Sequence, residues 1–202
     1  MRKIGILGGT FNPIHNGHLI LAQNALEQYS LDEVLFIPSG CSYKKQGVLD
    51  AQTRYHMVEL AIASNPLFHI SPIEIVRPGN SYTCETLAEL KAQMQDAVQY
   101  EYIIGADTLF SIESWKNPET IFAHCNILCN VRDGFSMSQL KEKQSYLDKK
   151  YGANIHFLQE KSFDISSSEI RERLKEGKCV SYYMPENVLA YIMQKELYTK
   201  GM

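Results

Sequence analysis

The sequence predicts an α/β fold: an open, mostly parallel sheet with helices on both faces and a helical C-terminal segment. Three observations predict it. Segments of strand character alternate with segments of helical period almost throughout the 202 residues. Most of the strand segments are continuous apolar runs, the pattern of strands covered on both faces. Short turns, "GGTF", "IPSG" and "IGAD", follow three of those runs. In open sheets of this Rossmann-like type, ligands bind beyond the carboxyl ends of the strands, where the strand order reverses. The three turns are therefore expected to surround one crevice.

The elements follow in order. "KIGIL" is a short apolar strand with β-branched Ile4 and Ile6, and "GGTFNPIHNG" is the turn after it. Leu19, Leu21, Ala22, Ala25, Leu26 and Tyr29 recur at helical spacing. "EVLFIP" is a buried strand stopped by Pro38, residues 39–50 form a loop, and "AQTRYHMVELAIASN" is a helix ended before Pro66. "FHISPIEIV" has strand character broken at Pro72. "YTCETLAELKAQMQ" reads as a helix capped by Thr83 with Glu85 in its first turn. "YEYIIGAD" is a strong strand turning at Gly105, and "NPETIFAHC" a helix with Pro118 at its first position. "NILCNV" and "NIHFLQ" are strands on either side of the charged amphipathic helix "SMSQLKEKQSYLDKKYG". "SSSEIRERLKEGK" is a helix with a serine start and a Gly177 stop, and "PENVLAYIMQKELY" a last helix. No internal repeat or linker divides the chain. Residues 1–202 are expected to form one domain, with its helical part at about 164–202.

Composition narrows the function classes. Hydrophobic residues make up 45% and charged residues 21%, which is the balance of a globular chain able to bury a core without disulfides. The net charge of −3 lacks the basic excess of a dedicated nucleic-acid binder. The five cysteines are scattered without a CxxC pair, the pattern of reduced, mostly buried thiols. "HCNILC" places Cys125 and Cys129 on one face of a strand, too far apart to chelate one zinc readily. No run is long enough to span a bilayer, and no signal peptide is visible, so no membrane partner and a cytoplasmic location are expected. The oligomeric state is not legible.

The chemistry concentrates in "GGTFNPIHNGH". Gly8 and Gly9 permit a tight turn and close approach of the backbone to a ligand. The stretch opens a helix, whose N-terminal N–H groups suit an anion. G-x-G-x-x-G and the Walker A pattern are both absent. His15 and His18 have neither HExxH spacing nor a neighbouring carboxylate or cysteine, which disfavours zinc. They read either as a structural pair capping the helix or as donors to anionic phosphate oxygens. "SSSEI" reads as a capping box between Ser166 and Glu169, and its helix start also suits a phosphate.

At these residues the chain resembles a known family. "HNGH" is similar to the HxGH signature of the nucleotidylyltransferases, and "GGTFNPIHNGHL" resembles the opening of the bacterial nicotinate mononucleotide adenylyltransferases. "SYTCETL", "IIGADTLFSIESWK", "ISSSEIRERL" and the tail "MPENVLAYIMQKELY" resemble the same family's later motifs in the same order. The resemblance implies that nicotinate mononucleotide attacks the α-phosphorus of ATP, releasing pyrophosphate, with Mg²⁺ accompanying ATP. It implies an ATP site of Gly8, Gly9, Thr10, Phe11, Gly105, Ile165, Ser167, Ser168 and Arg171, with His15, His18, Arg171 and Lys45 as catalytic charges. It implies a mononucleotide site of Tyr82, Thr83, Asp107, Trp115, Lys116 and Lys45, with Trp115 stacked on the nicotinate ring. No protein-held metal is implied. Two departures stand out: "CSYKK" lacks the family's paired prolines and histidine around Lys44 and Lys45, and Asn12 replaces the commoner aspartate. Arg54 and Arg132 are weaker candidates for phosphate or adenine contacts, with surface ion pairing as the alternative. Nicotinamide mononucleotide or phosphopantetheine as acceptor, and a nucleotide-binding module without turnover, stay open as alternatives.

Overall fold

A computed structural model describes residues 1–40, 47–93, 97–131, 134–159 and 165–199. Its elements, in order, are β1 (Arg2–Gly9), α1 (Asn16–Gln28), β2 (Glu33–Pro38), α2 (Ala51–Ile62), β3 (Phe68–Ile70), α3 (Ile73–Val76), α4 (Thr83–Gln93), β4 (Val98–Gly105), α5 (Ala106–Ser111), a 3-10 turn (Ile112–Ser114), α6 (Pro118–His124), β5 (Cys125–Asn130), α7 (Met137–Tyr151), β6 (Ile155–Leu158), α8 (Ser167–Lys175) and α9 (Glu186–Gln194).

The six strands form one sheet in the order β3-β2-β1-β4-β5-β6, and each neighbouring pair is parallel. Strand order runs outward one way from β1 and the other way from β4, so the crossovers diverge between these two. That divergence opens a crevice beyond their carboxyl ends, at Gly8–Gly9 and Ile104–Gly105.

The period-two alternation of the strands sorts the core. Leu7, Val34, Phe36, Ile103 and Leu128 face one layer, packed with residues of α1, α2, α8 and α9. Ile4, Ile6, Tyr100, Tyr102, Ile104 and Ile127 face the other, packed with residues of α4, α5, α6 and α7. Burying each such side chain contributes about 1.5–3 kcal/mol, more than the few tenths that helix propensity decides at one residue. Helices of weak intrinsic preference form here because each buries an apolar face on the sheet.

Four local expectations change. The segment after Pro72 is helical, not strand: the Pro72 carbonyl accepts the N–H groups of Ile75 and Val76, starting α3. Proline cannot donate to a ladder, so β3 stops before it. Thr83 is the first residue of α4 instead of its cap; the Tyr82 carbonyl accepts from Glu85 and Thr86 N–H. Strand β4 stops at Gly105 as expected, but the residues after it form the helix α5, with Asp107 in its first turn. The last helix ends at Gln194, and Glu196 and Tyr198 then take left-handed backbone angles (φ 52° and 62°). This fold-back returns Tyr198 to the interior.

Candidate active site

Two pockets meet beyond the ends of β1 and β4. One, of about 410 Å³, is lined by Gly8, Gly9, Thr10, Ser39, Glu74, Ser81, Tyr82, Thr83, Tyr102, Gly105, Trp115 and Lys116 among others. The other, of about 630 Å³, is lined by Gly9, Thr10, Phe11, Asn12, His15, His18, Val48, Ile165, Ser166, Ser167, Ser168 and Arg171. Gly9 and Thr10 line both. The turns "GGTF", "IPSG" and "IGAD" do surround one crevice, since Gly9, Ser39 and Gly105 share the first pocket.

The larger pocket is rich in hydrogen-bond donors. His15 is the N-cap of α1, extended at φ −149° and ψ 169°. Its backbone N–H donates to His18 Nδ1 at 3.2 Å, and the two rings stack with centroids 3.7 Å apart. With Nδ1 of His18 occupied as an acceptor, the ring's N–H belongs at Nε2. Structural capping and a place on the pocket wall are thus combined in one pair. Opposite it, Ser166 caps α8 by accepting Glu169 N–H. Arg171 donates to the Asn12 carbonyl at 2.8 Å and to Ser168 Oγ at 3.2 Å. Ser167 Oγ donates to the Pro13 carbonyl at 2.8 Å. These bonds join the start of α8 to a turn about 155 residues earlier, so the two halves of the pocket hold each other.

The turn itself differs from the expectation. The residue with left-handed backbone is Phe11, at φ 48°, while Gly8 and Gly9 are the last residues of β1. Gly8 is required for space: a Cβ there would stand 2.7 Å from Tyr102 Oη. The Phe11 ring is buried against Phe36 and the edge of His18, so Phe11 builds the pocket floor.

The smaller pocket has an aromatic and polar wall. Trp115 stands edge-on to Tyr102, with centroids 6.4 Å apart, and its backbone N–H donates to the Ile112 carbonyl, closing the 3-10 turn. That turn is anchored to α7 by Glu113, which accepts from Lys143 and Lys150 at 2.6 and 2.8 Å. Those two ammonium groups hold the Glu113 carboxyl down at about 2. Lys116 pairs with Glu85 at 2.6 Å and lies 4.3 Å over the Tyr82 ring. The start of α4, at Tyr82 and Thr83, lines this pocket. Burial pushes the Tyr102 phenol and the Glu74 carboxyl up from their ordinary values.

Most of the expected site residues are brought together, with Gly8 and Gly105 lining the smaller pocket alone, apart from the wall of His15, His18 and Arg171. Asp107 lines neither pocket. Lys44, Lys45 and Arg132 lie outside the described residues. Arg54, expected at a ligand or a surface ion pair, is 1% exposed and donates to four backbone carbonyls. Sequence reasoning missed Glu74, Tyr102 and Tyr198. Glu74 sat in a segment read as strand. Tyr198 sat in one read as helix, yet its buried hydroxyl donates to Asn12 Oδ1 at 2.7 Å.

A parallel sheet whose switch point carries a donor-rich pocket beside one with an aromatic wall has the architecture of an α/β nucleotide-binding protein. Residues 6–173 match the cytidylyltransferase-like family. A protein of Lachnoclostridium phytofermentans named as a nicotinate-nucleotide adenylyltransferase is 43% identical over 200 residues, covering 98% of this chain and 100% of its own. A likewise named protein of Clostridium botulinum (strain Kyoto) is 45% identical over 197 residues, 96% of this chain and 97% of its own. The nicotinic acid mononucleotide adenylyltransferase of Plasmodium falciparum, solved with NaAD, superposes with a TM-score of 0.81 over 98% of both chains at 19% identity, a likeness of fold. The chain belongs to the nicotinate-nucleotide adenylyltransferases of the cytidylyltransferase-like family, enzymes of NAD biosynthesis.

Proposed function

We propose that the larger pocket holds the phosphates of ATP and the smaller one the nicotinate mononucleotide, with AMP transferred between them at Gly9–Thr10. The observation that carries this division is the asymmetry of the two walls. One offers imidazole, hydroxyl, guanidinium and helix-end donors; the other offers Trp115, Tyr82 and a helix start.

In this reading a phosphate oxygen of the mononucleotide forms a bond to the α-phosphorus of ATP. The bond from that phosphorus to the bridging oxygen breaks, and pyrophosphate leaves with the electron pair. The products are nicotinate adenine dinucleotide and pyrophosphate. The nucleophile is an ionised phosphate, so no protein group removes a proton. Catalysis is positioning and charge stabilisation. His15, His18, Ser167, Ser168 and Arg171 stabilise the charge on the transferring and leaving phosphates. Trp115 stacks on the nicotinate ring. The first N–H groups of α4 receive its carboxylate, which favours the acid over the amide. Lys45, before α2 in sequence, adds charge, and Asp107, in the first turn of α5 after the pocket residue Gly105, orients a ribose.

The magnesium ion of Mg-ATP fits this donor set through the nucleotide. The pocket's donors bind phosphate oxygens, and the described residues hold no group of three or more His, Cys, Asp or Glu side chains able to ligate a metal. Bound to the phosphates, it neutralises part of their charge. Among the described residues no helix is long and apolar enough to cross a membrane; with the reduced thiols at Cys84, Cys125 and Cys129, this supports a cytoplasmic enzyme. One sheet carrying both pockets supports a single domain over 1–202.

The test is direct. Purified protein with Mg-ATP and, separately, nicotinate mononucleotide, nicotinamide mononucleotide and phosphopantetheine is followed for pyrophosphate. The acid mononucleotide should give the highest kcat/KM, with the dinucleotide as product. A faster reaction with another acceptor sinks the substrate assignment, and no turnover with any of them sinks the catalytic one.

A further inference from the structure

The Arg54 guanidinium lies beneath the junction of the two pockets. Nη1 donates to the Thr10 carbonyl at 2.7 Å. Nη2 donates to the Ser39 and Gly40 carbonyls at 2.6 and 2.9 Å, and Nε to the Leu49 carbonyl at 2.9 Å. A planar fork of five donors reaches several carbonyls in one plane; a lysine ammonium cannot span them. The side chain is 1% exposed, and burial lowers its affinity for the proton from the ordinary arginine value. Sequestering a charge this way is costly unless the carbonyl bonds return it.

The carbonyls it holds belong to different halves of the site. Thr10 lines both pockets, and Ser39 lines the smaller one. From the far side, Gly40 N–H donates to Ser81 Oγ at 3.1 Å, next to Tyr82 and Thr83. The Glu74 carboxyl lies behind this contact: Thr86 Oγ1 donates to it at 2.8 Å, and Ser81 bonds it as well. There is little slack in the junction. A Cβ on Gly40 would lie 2.0 Å from the Glu74 carbonyl oxygen. The chain path therefore runs from the phosphate turn through Arg54 to Ser39–Gly40, and through Ser81 to the start of α4.

We propose that Arg54 is a positioning residue that sets the spacing between the phosphate pocket and the acceptor pocket, and with it the in-line approach of the substrate phosphate to the α-phosphorus. It touches neither substrate. The proposal rests on the two-pocket assignment above. Its signature is a loss in kcat without an equal loss in binding, because each half-site stays intact while their registry shifts. A misplacement near 1 Å costs about 10² in rate.

Trp115 is the only tryptophan in the chain, so its fluorescence reports acceptor binding directly. Arg54→Lys keeps the charge and loses the fork. It should lower kcat about 30- to 100-fold. KM for ATP, and the mononucleotide dissociation constant read from Trp115 quenching, should change less than about 3-fold. Gly40→Ala displaces the same junction with Arg54 in place and should show the same split, which keeps the test open if Arg54→Lys does not fold. A kcat within 3-fold of the parent in either folded variant overturns the proposal. So does a kcat loss matched by equal losses in both affinities, the mark of a merely structural residue. If the parent enzyme itself fails to turn over nicotinate mononucleotide, the substrate assignment falls instead.

Discussion

The pocket proposed for the phosphates and the pocket proposed for the acceptor are built in different ways. Apart from Val48, the first is made of two short stretches, residues 9–18 and 165–171, each at the start of a helix and each bonded to the other through Ser167 and Arg171. The second is assembled from β1, β4, Ser39 after β2, Glu74 of α3, Ser81 and the start of α4, and Trp115 and Lys116 after the 3-10 turn. A phosphate is recognised by the same donors in any setting, so its ligands can be local and repeated. An aromatic acid needs a shaped wall, and a wall takes several segments. Changes in the first pocket should act on the chemical step, and changes in the second on acceptor affinity.

The largest effect that would break this contrast is expected at His18. His18→Ala removes a donor to developing charge and should lower kcat about 10²- to 10³-fold, as measured by pyrophosphate release on protein whose circular dichroism is unchanged. A near-normal kcat would assign the histidine to capping α1 alone. Next comes Trp115→Ala. Losing a stacking face costs about 1–3 kcal/mol, so KM for the mononucleotide should rise roughly 10- to 100-fold while KM for ATP moves little. Equal rises in both would make the tryptophan a structural wall and erase the division.

A third test sharpens the border between the pockets. Gly8→Ala places a Cβ 2.7 Å from Tyr102 Oη and should destabilise the protein by about 1–3 kcal/mol. Adding Tyr102→Phe removes that oxygen and should restore part of the loss in thermal unfolding. Full additivity of the two changes would contradict the close approach. The smallest effect belongs to Glu113, which anchors the turn behind Trp115. Its carboxyl titrates at about 2 instead of the ordinary 4.5 because of Lys143 and Lys150. The stabilisation is therefore present above about pH 4.5 and fades as the pH falls toward 2. Glu113→Gln should lower Tm by less than about 3 °C at pH 7, the pair being near the surface, and the gap should close in acid. A gap that persists at low pH would mean packing, not charge, holds the turn.

The phosphate half was legible in the chain because its parts are contiguous. "GGTFNPIHNGH" and "ISSSEIR" each carry turn chemistry and donors within a dozen residues, and both line one pocket. The acceptor half was legible only where motif resemblance reached it, at Tyr82, Thr83, Trp115 and Lys116. Glu74 escaped because an apolar, β-branched run around Pro72 suits strand and short helix alike. Tyr198 escaped because helical period continued past Gln194, while the backbone reverses at Glu196. From sequence Arg54 is a candidate for phosphate or adenine contacts or for a surface ion pair; its burial and its four carbonyl bonds mark it as a clamp.

By itself the sequence determined the strand–helix alternation, the parallel sheet and the helix starts that line the donor-rich pocket, since periodicity and capping act over a few residues. The family resemblance came with those motifs. Only the tertiary structure decided that Phe11 carries the left-handed turn, that Tyr198 supports Asn12, and that Arg54 joins two loops beneath the pockets. Those bonds link segments 44 to 186 residues apart or make sense only in a packed interior, and no local signal encodes a partner that distant.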